Sequence, residues 1–269
     1  MRSCFIAKRL KGSTPPLGRV LPNIARLLSQ WQSVSPLSYA GSPPVPIELN
    51  EAGISQYLQN KANAIGFPQG FVLSSGDRRS DLKLSIYTDD FSQIESIEFP
   101  LPYASQENFL HVDIFSELVG QICTQFNAYH GYVRDDSIAR LHGQARRYFD
   151  RQFDRVPPDL NQTIPPTPRL GDREILPYLM LESEFDNRRV PNGIWWVNFW
   201  DGTQVQTVGK ERVKTAPWTA QKEFNDGAMV LVATASPTDV RDRAHLAKLE
   251  AIARYLQLSR IQQQYSLSN

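Results

Sequence analysis

The sequence predicts an α+β fold in which antiparallel sheets pack against amphipathic helices. Short segments with alternating apolar and polar residues, typical of strands, follow one another between residues 71 and 99, and apolar residues at helical spacing lie on either side of them. Five prolines between residues 157 and 168 are too dense for a helix or an internal strand. We therefore expect an N-terminal α+β region over residues 1–155, a proline-rich linker over 156–175 and a C-terminal α+β region over 176–269.

The N-terminal region is predicted to begin with a strand at Phe5-Ile6-Ala7 and to continue with an amphipathic helix. Asn50 is expected to cap a second helix. Strand candidates over 71–74, 82–87 and 94–99 then suggest an antiparallel meander, and Tyr129 to Val133 is expected to return as a strand. A third helix should pack on the meander through an apolar stripe of Phe115, Leu118, Val119, Ile122 and Phe126.

The C-terminal region holds three tryptophans within six positions, Trp195, Trp196 and Trp200. Asp201-Gly202 follows at once and favours a tight turn, so we predict a hairpin with strands over 194–200 and 203–208. Alternation makes both faces of the first strand largely apolar. Either this strand is central and covered on both sides, or one face is exposed to a partner, in which case Trp196 and Trp200 are the expected contacts.

The other predicted elements of this region are a strand over 176–184, a short helix near 210–214, a strand over 228–233 and a terminal helix. The terminal helix is preceded by Ser236-Pro237-Thr238-Asp239, which resembles a capping box with proline at the first helical position.

Charge and cysteine content argue against several classes of protein. Twenty-nine Lys and Arg against 28 Asp and Glu give a net charge of +1, so no global field favours nucleic acid or an anionic membrane. Cys4 and Cys123 make no disulfide framework and are expected to be buried thiols in a reducing compartment. No signal peptide or membrane-spanning run is recognisable, so we expect a cytoplasmic protein.

Catalytic motifs are largely missing from the sequence. The four histidines are scattered, and there is no nucleophile elbow, phosphate-binding glycine loop or Cys-x-x-Cys, so we expect no metal and no cofactor. The one enzymatic pattern is Asp81-Leu82-Lys83, which has the carboxylate-x-lysine form of restriction-type nucleases, with Asp77 as a second possible metal ligand. A metal-dependent nuclease, or another enzyme of unknown activity, is therefore an alternative.

Acidic residues cluster at predicted strand ends and loops. They are either solvated turn residues or carboxylates presented to a basic partner. As candidate partner contacts they comprise Asp89, Asp90, Asp135, Asp136, Glu182, Glu184 and Asp186.

Between about residues 190 and 258 the chain resembles a tryptophan-rich family of immunity proteins from bacterial polymorphic-toxin and type VI secretion systems. The matching features are the order of aromatic residues, glycines and a terminal helix, namely Ile194 to Trp200, Val208-Gly209, Arg212-Val213, Ala216-Pro217-Trp218, Asp226 to Leu231, Ala244-His245 and Tyr255-Leu256. In that family the immunity gene lies beside the gene of a toxin with a restriction-endonuclease-like nuclease domain.

The resemblance implies a non-enzymatic, cytoplasmic toxin inhibitor that acts in bacterial competition by protein–protein interaction. Its partner would be the cognate nuclease toxin, with no direct contact to nucleic acid or membrane. Besides the enzyme, a structural or scaffold protein whose aromatic hairpin joins copies of itself is a further alternative.

Overall fold

A computed structural model of the chain describes residues 3–32, 35–41, 44–65, 70–76, 82–89, 93–101, 112–135, 188–224, 226–238 and 242–266. The α+β class predicted from the sequence is confirmed, with helices packed on antiparallel strands. The chain divides into two compact units, with the boundary between Tyr132 and Val133. The predicted linker over 156–175 lies outside the described residues, and the predicted domain boundaries stay predictions.

The N-terminal unit contains the predicted strand–helix opening, the meander and a third helix. Its elements are β1 (Ser3–Leu10), α1 (Leu17–Gln32), β2 (Tyr39–Ala40), β3 (Val45–Pro46), α2 (Glu51–Ile65), β4 (Gly70–Ser74), β5 (Lys83–Asp89), β6 (Ile94–Pro100), α3 (Val112–Phe126) and the start of β7 (His130–Asp135). Asn50 caps α2 as predicted, because its Oδ1 accepts the Gly53 amide at 2.8 Å.

The sheet of this unit has the strand order β3-β2-β4-β5-β6-β1-β7. The predicted meander β4-β5-β6 is antiparallel, and β6 then pairs antiparallel with β1. Helix α1 packs against α2 and α3, and α3 contacts β1. An aromatic pair joins a helix to the sheet, with 5.8 Å between the ring centroids of Tyr57 of α2 and Phe71 of β4. Within the sheet, the cross-strand neighbours Phe5 and Phe99 have ring centroids 5.2 Å apart.

A buried ion pair connects four parts of the N-terminal unit. Arg9 of β1 is 1% exposed and faces its cross-strand neighbour Glu95, with Nε donating to Oε2 at 2.7 Å. Its Nη1 also donates to the carbonyl of Pro15 at 2.8 Å and to that of Phe126, the last residue of α3, at 3.4 Å. The positive guanidinium therefore lies at the negative, C-terminal end of the α3 dipole, where a positive charge stabilises the helix. Sheet, helix end and loop are held by one side chain.

We expect Arg9→Met to lower the free energy of unfolding by about 3–5 kcal/mol, because Glu95 would keep a buried charge without its partner. Urea denaturation followed by circular dichroism measures the change. The double variant Arg9→Met with Glu95→Met is the control and should recover part of the loss. An unaltered midpoint in the single variant would contradict the role assigned to this pair.

The C-terminal unit forms a second layered core. Its elements after β7 are β8 (Val197–Trp200), α4 (Gly202–Val208), α5 (Lys210–Thr215), β9 (Ala220–Glu223), β10 (Met229–Val232), α6 (Arg243–Leu256) and α7 (Leu258–Ser266). The strand order is β8-β10-β9, and both pairings are antiparallel. Apolar side chains from β8, β10 and the four helices meet in one cluster.

The prediction of a tryptophan hairpin is wrong. Residues 203–208, expected to be its second strand, lie in helix α4, and Asp201 is the N-cap of that helix, with Oδ1 accepting the Gln204 amide at 2.7 Å. An aspartate before glycine suits a helix start as well as a tight turn, and here capping of the helix prevails. Strand β8 instead pairs with β10, which lies within the strand predicted over 228–233.

The predicted start of the terminal helix also needs correction. Helix α6 begins at Arg243, and its N-cap is Asp242, whose Oδ1 accepts the Ala244 amide at 2.8 Å, rather than Ser236. The short helix predicted near 210–214 is confirmed as α5. The strand predicted over 176–184 lies outside the described residues.

Candidate partner-binding surface

Both tryptophans expected to contact a partner are buried within the chain. Trp196 is 4% exposed, and its Nε1 donates to the carbonyl of Thr234 at 3.0 Å. Trp200 is fully buried in the core of the C-terminal unit, edge-on to Trp218 with 5.8 Å between ring centroids. Of the two interpretations of this strand, the structure supports the one in which both faces are covered, since Val197 and Phe199 are buried too.

Asn198, the polar residue within this apolar strand, bonds entirely inside the protein. Its Oδ1 accepts the amide of Trp195 at 2.8 Å, and its Nδ2 donates to the carbonyls of Trp195 at 2.8 Å and Leu231 at 3.3 Å. The strand predicted over 194–200 is shorter in the structure, Val197–Trp200. The Asn198 side chain takes up the backbone amide and carbonyl of Trp195, which a longer strand would use to pair with a neighbouring strand. Asn198 is therefore a structural residue.

The acidic candidates are only partly within the described residues. Asp89 is exposed at the end of β5, and Asp135 is the last residue of β7. Asp90, Asp136, Glu182, Glu184 and Asp186 lie outside the described residues, so the expected acidic contact set stays a prediction.

The residues of the nuclease pattern are also incompletely described. Lys83 is exposed at the start of β5, whereas Asp77 and Asp81 lie outside the described residues. Among the residues that the structure does describe, no three His, Cys, Asp or Glu side chains are grouped to hold a metal ion.

In the described part of the chain, no helix has the length and apolar character needed to cross a bilayer. Cys4 and Cys123 are buried and form no disulfide, as expected, and burial raises the pKa of the Cys123 thiol.

Two Asp-Gly pairs meet at one end of the C-terminal sheet. Asp201-Gly202 starts α4, while Asp226-Gly227 turns the chain between β9 and β10, with Gly227 at φ +79°. A Cβ at Gly202 would lie 2.7 Å from the carbonyl oxygen of Asp226, closer than Cβ atoms approach other atoms in protein structures.

Burial raises the pKa of Asp201 to about 6. The hydrogen bond from the Gln204 amide and the positive charge of Arg188 lower this pKa, but burial has the larger effect.

The most exposed strand of the C-terminal unit is β9, a strand that was not expected from the sequence. Gln221, Lys222 and Glu223 are exposed along it. Glu223 forms salt bridges with two lysines of α5, Lys210 at 2.5 Å and Lys214 at 2.7 Å. These hydrogen bonds lower the pKa of Glu223 to about 2 and raise that of Lys214. The signal that could have revealed β9 is its position before the second Asp-Gly turn.

Comparison with known proteins shows a shared fold and no family. No protein-family model and no curated protein matches the chain. The chain is similar in structure to the Pseudomonas aeruginosa T6SS protein PA0821, with a TM-score of 0.53 and 14% sequence identity over 95% of this chain and 72% of that one. At this identity the likeness concerns the fold.

Trp195→Ala and Trp196→Ala should each lower the free energy of unfolding by roughly 3–5 kcal/mol, because each leaves a cavity where a buried indole ring packs. Thermal and urea unfolding curves measure both losses. Tyr255→Ala is the matched control, since this aromatic residue of α6 is 47% exposed and should cost far less. Wild-type stability of the Trp196 variant would instead make that residue a surface contact.

Asp201 should make stability depend on pH. Its folded pKa of about 6 exceeds the value of 3.8 typical of an exposed Asp, so its contribution is fully present below about pH 3.8 and is lost as the pH rises through 6. Asp201→Asn keeps the capping acceptor but does not titrate. Between pH 4 and pH 7, the unfolding free energy of the wild type should fall relative to this variant by roughly 1 kcal/mol, a value reduced for solvent screening.

Urea titrations at both pH values, followed by tryptophan fluorescence, test the pH dependence. Four of the five tryptophans, at 195, 196, 200 and 218, belong to the C-terminal unit and report mainly on it. A difference between the two proteins that does not change with pH would contradict the elevated pKa.

Proposed function

We propose that this chain is an immunity protein that binds and neutralises a cognate nuclease toxin of a type VI secretion system by direct protein contact. The observation that carries the proposal is the likeness in fold, over 95% of the chain, to a protein described as a T6SS protein. The resemblance of residues 190–258 to tryptophan-rich immunity proteins supports the same role. In this proposal the chain acts in the cytoplasm, as an inhibitor without catalytic activity.

The C-terminal unit has the physical properties of a rigid binding scaffold. Its tryptophans, Asn198 and the cap of α4 bond and pack within the unit itself. Binding by a rigid surface costs little conformational entropy, which favours tight association. A near-neutral chain also has no general attraction to nucleic acid, so the proposed inhibitor reaches the toxin rather than the toxin's substrate.

The chain should form a stable complex with the nuclease toxin encoded beside it, burying on the order of 1,600 Å² in total as specific complexes do. Co-expression followed by size-exclusion chromatography measures this, together with protection of cells that express the toxin. Separate elution of the two proteins at micromolar concentration would overturn the proposal.

A variant of the nuclease pattern separates inhibition from enzymatic activity. Asp77→Ala with Asp81→Ala should still protect cells, because an inhibitor needs no metal ligands there. Loss of protection by a folded double variant, or metal-dependent cleavage of DNA by the purified chain, would favour the enzyme. Self-association of the chain without the toxin would favour a scaffold protein.

A further inference from the structure

The outer edge of strand β9 has the properties of a binding site for another strand. β9 ends the strand order of the C-terminal unit and pairs with β10. In the described part of the chain no strand lies on its other side. For comparison, the edge strand β3 of the N-terminal unit has two residues and contains Pro46, which lacks an amide hydrogen. β9 contains no proline and is twice as long.

The hydrogen-bond pattern identifies the backbone groups on this edge. The Ala233 amide donates to Trp196 at 2.8 Å, so odd-numbered residues of β10 bond β8. The Phe224 amide donates to Ala228 at 2.9 Å, so even-numbered residues of β10 bond Phe224, Lys222 and Ala220 in turn. The amide and carbonyl groups of the two remaining residues, Gln221 and Glu223, therefore face outward along the edge.

Side-chain contacts hold β9 in place for docking. Gln221 Nε2 donates to the carbonyl of Lys214 at 2.9 Å, and Glu223 bridges Lys210 and Lys214. Both side chains are thus directed towards α5. At the start of the strand, Thr219 donates through its amide to Val232 and through Oγ1 to Ala233, each at 2.8 Å. The edge is ordered before binding, which lowers the entropic cost of adding a strand.

Charge distinguishes the possible occupants of this edge. Two copies of the chain could use all outward groups in an antiparallel pairing only if Gln221 of each copy lies opposite Glu223 of the other. That register sets Lys222 directly against Lys222 of the second copy, and like charges directly opposite are destabilising. A strand that places a carboxylate opposite Lys222 gains an attractive cross-strand pair instead.

We propose that β9 receives an extended acidic segment of the toxin as an added antiparallel strand, with a carboxylate opposite Lys222. This inference rests on the proposed function and specifies the surface through which it acts. Main-chain bonds to Gln221 and Glu223 supply affinity, and the charge pair with Lys222 sets the register, as in other cases of strand addition.

The test uses proline at an outward position of the full-length chain, against the toxin encoded beside it. Gln221→Pro removes an outward amide and leaves the inward bonds to β10 in place. Its Kd for the toxin, measured by calorimetry, should rise about tenfold or more, since a main-chain bond is lost and the ring obstructs the added strand. Gln221→Ala is the matched control, because it loses the same side-chain contact but keeps the amide, and its Kd should stay near the wild-type value.

The rates of amide hydrogen exchange provide a second test that needs no variant. On complex formation the amides of Gln221 and Glu223 should exchange more slowly, while the Lys222 amide, already bonded to β10, serves as the internal reference. Lys222→Glu should raise the Kd about tenfold by replacing an attractive pair with a repulsive one. An unchanged Kd for this variant would refute the acidic character of the segment.

The outcomes separate the two proposals. If the toxin binds the wild type, Gln221→Pro and Gln221→Ala equally, and the Gln221 and Glu223 amides are not protected, the edge is not the contact and the proposed function stands. If the toxin does not bind the wild type, both proposals fall. If the chain alone is a dimer that Gln221→Pro dissociates, the edge joins two copies and the strand-addition proposal is overturned.

Discussion

The C-terminal unit depends on one buried amide, the side chain of Asn198. A strand that is apolar on both faces has no pattern of its own to fix its register, since shifting it by one residue exchanges one apolar face for another. Asn198 reduces this ambiguity: the Trp195 backbone holds its carboxamide, and in this register its Nδ2 reaches the carbonyl of Leu231 on β10. A shift by one residue would turn this buried amide to the other face and break that bond. Once this position is fixed, Trp196 reaches Thr234 and Trp200 enters the core. In the N-terminal unit Arg9 has a comparable role.

The elements that could be predicted from sequence are those whose local pattern agrees with their environment. The meander over β4, β5 and β6 alternates cleanly because one face is buried, and α1 and α3 have clear apolar stripes. The hairpin failed at Asp201-Gly202, where a turn and a helix cap require the same residue types. The second pair, Asp226-Gly227, does make a hairpin turn. Whether an Asp-Gly pair caps a helix or makes a hairpin turn is decided by the contacts of the residues that follow it.

The candidate surface was less predictable for a different reason. Clustered tryptophans indicate either a core or an interface, and the choice depends on what covers them, which no local pattern contains. β9 reads Ala-Gln-Lys-Glu, a composition depleted in strands, and it is a strand because β10 supplies the ladder and α5 holds its side chains. A binding edge of this kind arises from tertiary contacts, which neither composition nor a local motif encodes.

The close approach of Gly202 to the Asp226 carbonyl has a consequence for evolution. A side chain at position 202 would force the turn away from the helix start, and one at position 227 would oppose a backbone with φ of +79°. The two glycines thus form a linked pair, although far apart in sequence. Distant relatives that have lost overall similarity should retain both, so the spacing of the two Asp-Gly pairs offers a profile for finding such relatives where pairwise alignment fails.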